Sequence, residues 1–292
     1  VWHDVYELLS PNGGETLRIS NTYTIRWESP WPSVGLMLYK GDEFIMEIDG
    51  GALGNSYDWT IPEFIAPGDD YRISLDNPSG PEADFSDEYF SIVSNTTPIT
   101  IHIPNQFSLI QEAIDYSIDG DTVFVAAGTY YENINFNGKD ISLIGEDRES
   151  TIIDGEGNGS VVTFFNNETE DALLKNFTIQ NGYNSEQRGG GVSIVNSSPS
   201  LKNLNVSFNS NNNDGHASGI TVFNSPSENS VLFENIVIFD NDGDAGFYCF
   251  GASVYLNHLL SYNNGQNELL ASNCQLYIDK STIIGNIYGS YN

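Results

Sequence analysis

The chain has 292 residues, 40 of them acidic against 10 basic, for a formal net charge of -30 at pH 7. That excess excludes a nucleic-acid binder and disfavours any polyanion as partner, and no apolar run is long enough to insert in a membrane. Aromatic and β-branched residues recur throughout among Gly, Asn, Ser and Thr, which excludes disorder and suits an all-β chain with many turns.

From the N-terminus, short alternating runs are separated by Gly, Pro, Asn and Asp. "TYTIRWES", "VGLMLYKG", "YDWTIP", "DYRISLDN" and "EYFSIVS" each predict a strand. Roughly seven such strands in about 90 residues predict a β-sandwich, with Trp27 and Trp59 in its core. The polar stretch "SNTTP" breaks the pattern, so the expected division is 1–94, a linker at 95–98, and 99–292. "SPNGGETLRISNTYTIRWES", "LYKGDEF", "SYDWTIP", "GDDYRISL" and "SDEYFSI" resemble the Kre9/Knh1-type cell-wall domain. The resemblance spans Leu8 to Ser94 and implies an immunoglobulin-like accessory module of secreted surface proteins, with no chemistry of its own.

The next segment runs "IHIPNQFSLIQEAIDYSIDGDTVFVAAGTYYENINFNGKDISLIGEDRESTIIDG". Ser108 is placed to cap a short amphipathic helix with Ile110, Ala113, Ile114 and Ile118 on one face. Strands are expected at "TVFVA", "ENINF", "ISLIG" and "TIID". This arrangement resembles the capping helix and first coils of the pectin-lyase-like right-handed β-helix.

Beyond it one phrase recurs: "LLKNFTIQNG", "LKNLNVSFNSNNNDG", "LFENIVIFDNDG", "VYLNHLLSYNNG" and "LYIDKSTIIGNI". Asn176, Asn203, Asn235, Asn257 and Asp279 align in one column. A period in the twenties with variable insertions marks a solenoid. Each coil pairs with its neighbours, so equivalent side chains stack into ladders, and asparagine suits bends that need left-handed backbone. An apolar column follows at Ile179, Val206, Ile238 and Leu260, with Thr282 the exception, and a second asparagine column at Asn181, Asn209, Asn241, Asn263 or Asn264, and Asn286. The expected fold is therefore all-β: an immunoglobulin-like sandwich, then a right-handed parallel β-helix closed by an N-terminal helix. Cys249 and Cys274 fall on neighbouring coils, as a disulfide or as two buried thiols.

The loops between coils hold the candidate chemistry. Asp240, Asp242 and Asp244 alternate in "DNDGDAG", a spacing at which carboxylates can converge on calcium, with Asp214 a possible contributor. The competing reading is solvated turn acids. His216 in "DGHASG" pairs with Asp214 or Asp240 as an acid/base candidate, against an ordinary surface histidine. Polygalacturonases of this fold set histidine between glycines; "GHA" departs from that pattern. Lyases of the fold use a basic residue as base. Arg188 is the isolated candidate, whereas Lys175 and Lys202 stack as an outer charged ladder continued by Glu234. The catalytic segment of pectin methylesterases has no counterpart here.

"GGGVSIVNSSPSLKNLNVSFNS" is similar to the stacking repeat of bacterial surface adhesins, which carries no catalytic residues. The expected protein is secreted or on the cell surface, non-catalytic, and adhesive, structural or glycan-binding, with an extracellular glycan or cell-surface partner. A polysaccharide-active enzyme, lyase or glycoside hydrolase, with its groove near Arg188, Asp214, His216 and the Asp240 to Asp244 cluster is the alternative. A third expectation is self-association through the C-terminal coil, since "GNIYGSYN" shows no cap; a longer native chain explains the same feature.

Overall fold

Alternation sets the first unit. In Thr22–Glu28, Tyr23, Ile25 and Trp27 are buried and their neighbours are not. The computed structural model describes residues 6–184, 189–211, 217–225 and 230–290, and the chain divides into two units, Val1–Ile99 and Thr100–Asn292. In the first unit, Thr22–Glu28 pairs antiparallel with Glu7–Ser10 and Ser56–Thr60. A second sheet runs in the order Thr16–Arg18, Phe90–Val93, Gly68–Asp76, Ser33–Lys40, Glu43–Leu53, with Ala83–Phe85 also on Gly68–Asp76. Leu8, Ile25, Trp27 and Trp59 from one sheet and Leu36, Ile73, Phe90 and Ile92 from the other form one buried cluster, the arrangement of a sandwich. Trp27 and Trp59 are core residues, as the alternation implied. Among the described residues of this unit nine strands are present rather than seven, because Glu7–Ser10 and the three-residue Ala83–Phe85 are too short to show a period. Part of "SNTTP" packs on this unit: the fully buried Arg18 donates from Nε to the Thr97 carbonyl at 3.0 Å.

The second unit is a parallel β-solenoid of about seven turns. Its longest ladder stacks Thr100–Ile103, Thr122–Val125, Ser142–Gly145, Leu173–Gln180, Ser200–Ser207, Val231–Phe239, Ser253–Tyr262 and Gln275–Asp279. A second stacks Ile134–Asn135, Val162–Phe164, Val192–Val195, Ala217–Phe223, Ala245–Phe250, Asn267–Ser272 and Ile287–Ser290. The helix, Ile110–Tyr116, packs on the first strands through Ile110, Ala113 and Ile114. Its N-cap is Leu109, not Ser108, and no side chain of the cap bonds the helix. The Glu132 carboxylate takes over that role, accepting from the Ile110 and Gln111 amides at 2.8 and 2.9 Å.

Left-handed residues divide the four coils that begin at Leu173, Ser200, Val231 and Ser253 into three faces. Within the long strands they are Asn176, Asn203, Asn235 and His258, with Lys280 in the last coil. A second corner has Asn181, Phe208, Asp240 and Asn263; a third has Asn196, Asn224, Gly251 and Asn273. At the first corner the amides form a ladder: Asn203 Nδ2 donates to Asn176 Oδ1 at 2.8 Å and Asn235 Nδ2 to Asn203 Oδ1 at 2.7 Å.

This corrects the aligned column. Asn257 lies opposite Glu234, and Asp279 opposite Asn257, so the corner passes to His258 and Lys280. The apolar column shifts likewise, from Leu260 and Thr282 to Ser261 and Ile283. Core register decides it. Leu256 stacks on Phe233 and Leu259 on Ile236, whereas matching Asn257 to Asn235 would turn these leucines outward.

A second amide ladder lies inside the solenoid, at Asn209, Asn241 and Asn264, all at most 2 % exposed. Asn181 is not in it, since it occupies the left-handed corner one position earlier. Cys249 and Cys274 form a disulfide between adjacent coils.

Candidate functional site

Along the second face of the later coils, residues alternate inward and outward. Ile236 and Ile238 are buried, and the same holds for Leu259 and Ser261 one coil on. Val237 and Phe239, Leu260 and Tyr262, and Thr282 and Ile284 therefore share two outward columns. Earlier coils carry Thr178 and Asn205, and Gln180 and Ser207, at these places, with Asn205 and Ser207 covered rather than exposed. The face thus changes from polar to apolar along the shaft. Phe239 and Tyr262 stack with ring centroids 5.5 Å apart and planes 11° apart, and Phe208 meets Phe239 edge-on at 6.1 Å. Phe208 is 56 % exposed. The next residues in the chain are polar: the Asn263 amide donates to the Asp240 carboxylate. An aromatic strip is therefore bordered by amide and carboxylate groups.

A second strip lies on the adjoining face. Leu232, Tyr255 and Tyr277 are in register, and the two tyrosine rings stack at 5.2 Å and 15°. Beside it runs the expected charged column. Lys175 is in register with Lys202, Lys202 with Glu234, and Lys202 Nζ meets Glu234 at 3.3 Å. The lysine pair belongs to a partly exposed charged ladder. On the third face Phe223 and Phe250 stack at 4.9 Å.

Arg188, Asp214 and His216 lie outside the described residues. Asp240, Asp242 and Asp244 lie within them. Among the described residues no three His, Cys, Asp or Glu side chains group so as to hold a metal ion, these aspartates included. Asp240 and Asp244 are engaged by the next coil instead, through Asn263 and through Gln266 Nε2 at 2.9 Å. The alternation in "DNDGDAG" is that of a turn, with the Asp242 backbone bridging Asn209 and Asn211. Among the described residues no helix is long and apolar enough to cross a membrane.

Sequence reasoning missed the aromatic strip. Its signal is an aromatic directly before the polar bend in "IVIFDNDG" and "LLSYNNG", which gains meaning only when register stacks the two. Compared with known proteins, the chain matches no family model and no curated protein.

Proposed function

We propose that this is a non-catalytic secreted or cell-surface protein that holds an uncharged glycan along the aromatic flank of its solenoid. The carrying observation is the Phe208, Phe239 and Tyr262 strip beside the Asp240–Asn263 pair. A sugar has apolar C–H faces and a hydroxyl rim. Aromatic rings suit the first, and fixed amides and carboxylates suit the second. A contiguous apolar strip on a rigid shaft is an aggregation liability unless something binds it. The net charge of -30 disfavours acidic polymers, and the strip itself carries no charge beyond Asp240, which Asn263 engages. The sandwich and the parallel ladders accord with the immunoglobulin-like and pectin-lyase-like readings, whose rigid scaffolds present such surfaces.

The test is retention of the full chain on insoluble neutral and acidic polysaccharides, each sample also scored for new chain ends. Retention on a neutral polymer, lost in the Phe239→Ala/Tyr262→Ala double variant with circular dichroism unchanged, is the expected result. New chain ends would overturn the non-catalytic reading, and retention that survives the double variant would remove the strip as the binding surface.

A further inference from the structure

The first unit carries an open surface cavity of about 530 Å³ lined by Arg72, Ser86, Asp87, Glu88 and Tyr89. Its wall, residues 86–89, is held from several sides by the turn "PNGGE". Asn12 and Asp87 bond reciprocally: Asn12 Nδ2 donates to Asp87 Oδ2 at 2.9 Å, and the Asp87 amide to Asn12 Oδ1 at 2.8 Å. Ser86 Oγ donates to the Pro11 carbonyl at 2.9 Å and accepts from the Ile73 amide at 3.1 Å. The Gly14 amide donates to the Tyr89 carbonyl at 2.9 Å. The turn itself is fixed by Glu15, whose carboxylate accepts from the Asn12 and Gly13 amides, each at 2.8 Å. Gly13 has φ +129°, and a Cβ there would stand 2.5 Å from Glu88 Cβ, so only glycine lets the turn approach this wall. The loop is thus held in place before any ligand arrives.

Arg72 lines the same cavity. Its guanidinium lies 4.8 Å from the Phe85 ring centre and 5.9 Å from that of Tyr89, and Nη2 donates to Asp42 at 2.8 Å. Its Nε–H is buried without an acceptor. Tyr89 is 46 % exposed, and Asp87 and Glu88 stand exposed beside it.

We infer that this cavity is a second binding site, for a single uncharged saccharide unit, independent of the solenoid flank. The cavity is within the usual range for small-molecule sites. The Tyr89 ring offers a stacking surface, and Asp87 and Glu88 accept hydroxyl hydrogen bonds of the charge-assisted kind. An acidic sugar meets two carboxylates and an arginine already paired with Asp42. A neutral ring stacks on Tyr89 and donates its hydroxyls to Asp87 and Glu88, and needs no counter-charge from an arginine already held by Asp42.

The experiment is 15N chemical-shift mapping with isothermal titration on the full chain. Glucose, galactose, mannose and N-acetylglucosamine are the probes, with glucuronate and glucosamine as charged counterparts. The expected result is saturable shifts at Arg72 and Ser86–Tyr89 for at least one neutral sugar, with its charged counterpart weaker. Tyr89→Ala abolishes the shifts, and Glu88→Gln, which keeps shape and packing, weakens binding roughly tenfold. Phe239→Ala leaves the site unchanged. Absence of shifts there with every neutral sugar, tighter binding of a charged counterpart, or an unchanged affinity in Glu88→Gln would each overturn the assignment.

Discussion

Asn241 donates its side-chain amide to Asn264 Oδ1 at 2.8 Å, one coil away, and both residues lie inside the solenoid. The same amide reaches the Val206 and Phe239 carbonyls at 2.9 and 3.0 Å, and Asn241 Oδ1 accepts from Asn209 Nδ2 at 3.0 Å. Glu268 ends the row, accepting from Asn264 Nδ2 at 2.6 Å and from Ser261 Oγ at 2.7 Å. The ladder satisfies backbone carbonyls that the corner turns away from the sheets.

Asn241→Leu keeps the branched outline of the side chain and removes the four bonds that its amide makes to Asn209, Asn264, Val206 and Phe239. Carbonyls and a neighbouring amide are left buried and unpaired, at a cost of about 3 kcal/mol. Urea unfolding checks it. A variant within about 1 kcal/mol of the parent would show that the row is not a determinant of stability.

The Cys249–Cys274 disulfide closes a loop with a sequence separation of 25. Cross-linking a loop of that size stabilises by about 3 kcal/mol, chiefly by restricting the unfolded chain. The paired Cys249→Ala/Cys274→Ser variant is expected to lose that amount. The unfolded parent should release no reactive thiol until a reductant is added, and thiol labelling before reduction would refute the bond.

Asp154 gives a pH dependence. Burial raises its pKa, but hydrogen bonds from Gln180, the Glu156 amide and Asn181 together outweigh burial, so the net shift is downward. Gln180 Nε2 and Asn181 Nδ2 reach Oδ2 at 2.9 and 2.7 Å. A depressed carboxylate binds protons less readily when folded than when unfolded. Its contribution is therefore complete above the unfolded pKa of about 3.9 and is lost as pH falls through the lower folded value. Asp154→Asn puts an amide among donors and should cost about 2 kcal/mol at pH 7. That cost should shrink below pH 4. A penalty equal at pH 7 and pH 2.5 would contradict the charge as its source.

Much of this architecture was legible because ladders repeat local chemistry. "TIRWES" shows its buried face by alternation, and the repeated asparagines announce corners, since few other residues accept left-handed backbone. Tertiary geometry was less legible. Asn235 and Asn257 look equivalent in sequence, but the register is chosen by the leucines around them. The Phe239–Tyr262 strip depends on that register, and the wall at Ser86–Tyr89 depends on a turn 75 residues earlier in the chain. Arg188, Asp214 and His216 were singled out by residue type alone, and nothing in their spacing fixes what they face.

His258 tests the register itself. It occupies the left-handed position at φ 56° that Asn176, Asn203 and Asn235 fill in preceding coils. Imidazole is less suited than asparagine to that backbone and interrupts the amide row. His258→Asn should extend the row by one bond, from its amide to Asn235 Oδ1, and stabilise by about 1 kcal/mol. Asn235→Val should do the reverse and cost about 2 kcal/mol, because it breaks the row and forces a β-branched residue to positive φ. Asn257 is the discriminating control. Its Oδ1 is buried without a partner, so Asn257→Ala should change stability by less than about 0.5 kcal/mol. If Asn257→Ala proved as costly as Asn235→Val while His258→Asn gained nothing, the corner would sit at Asn257. The last coils would then be shifted by one residue, and Tyr262 would no longer stack on Phe239.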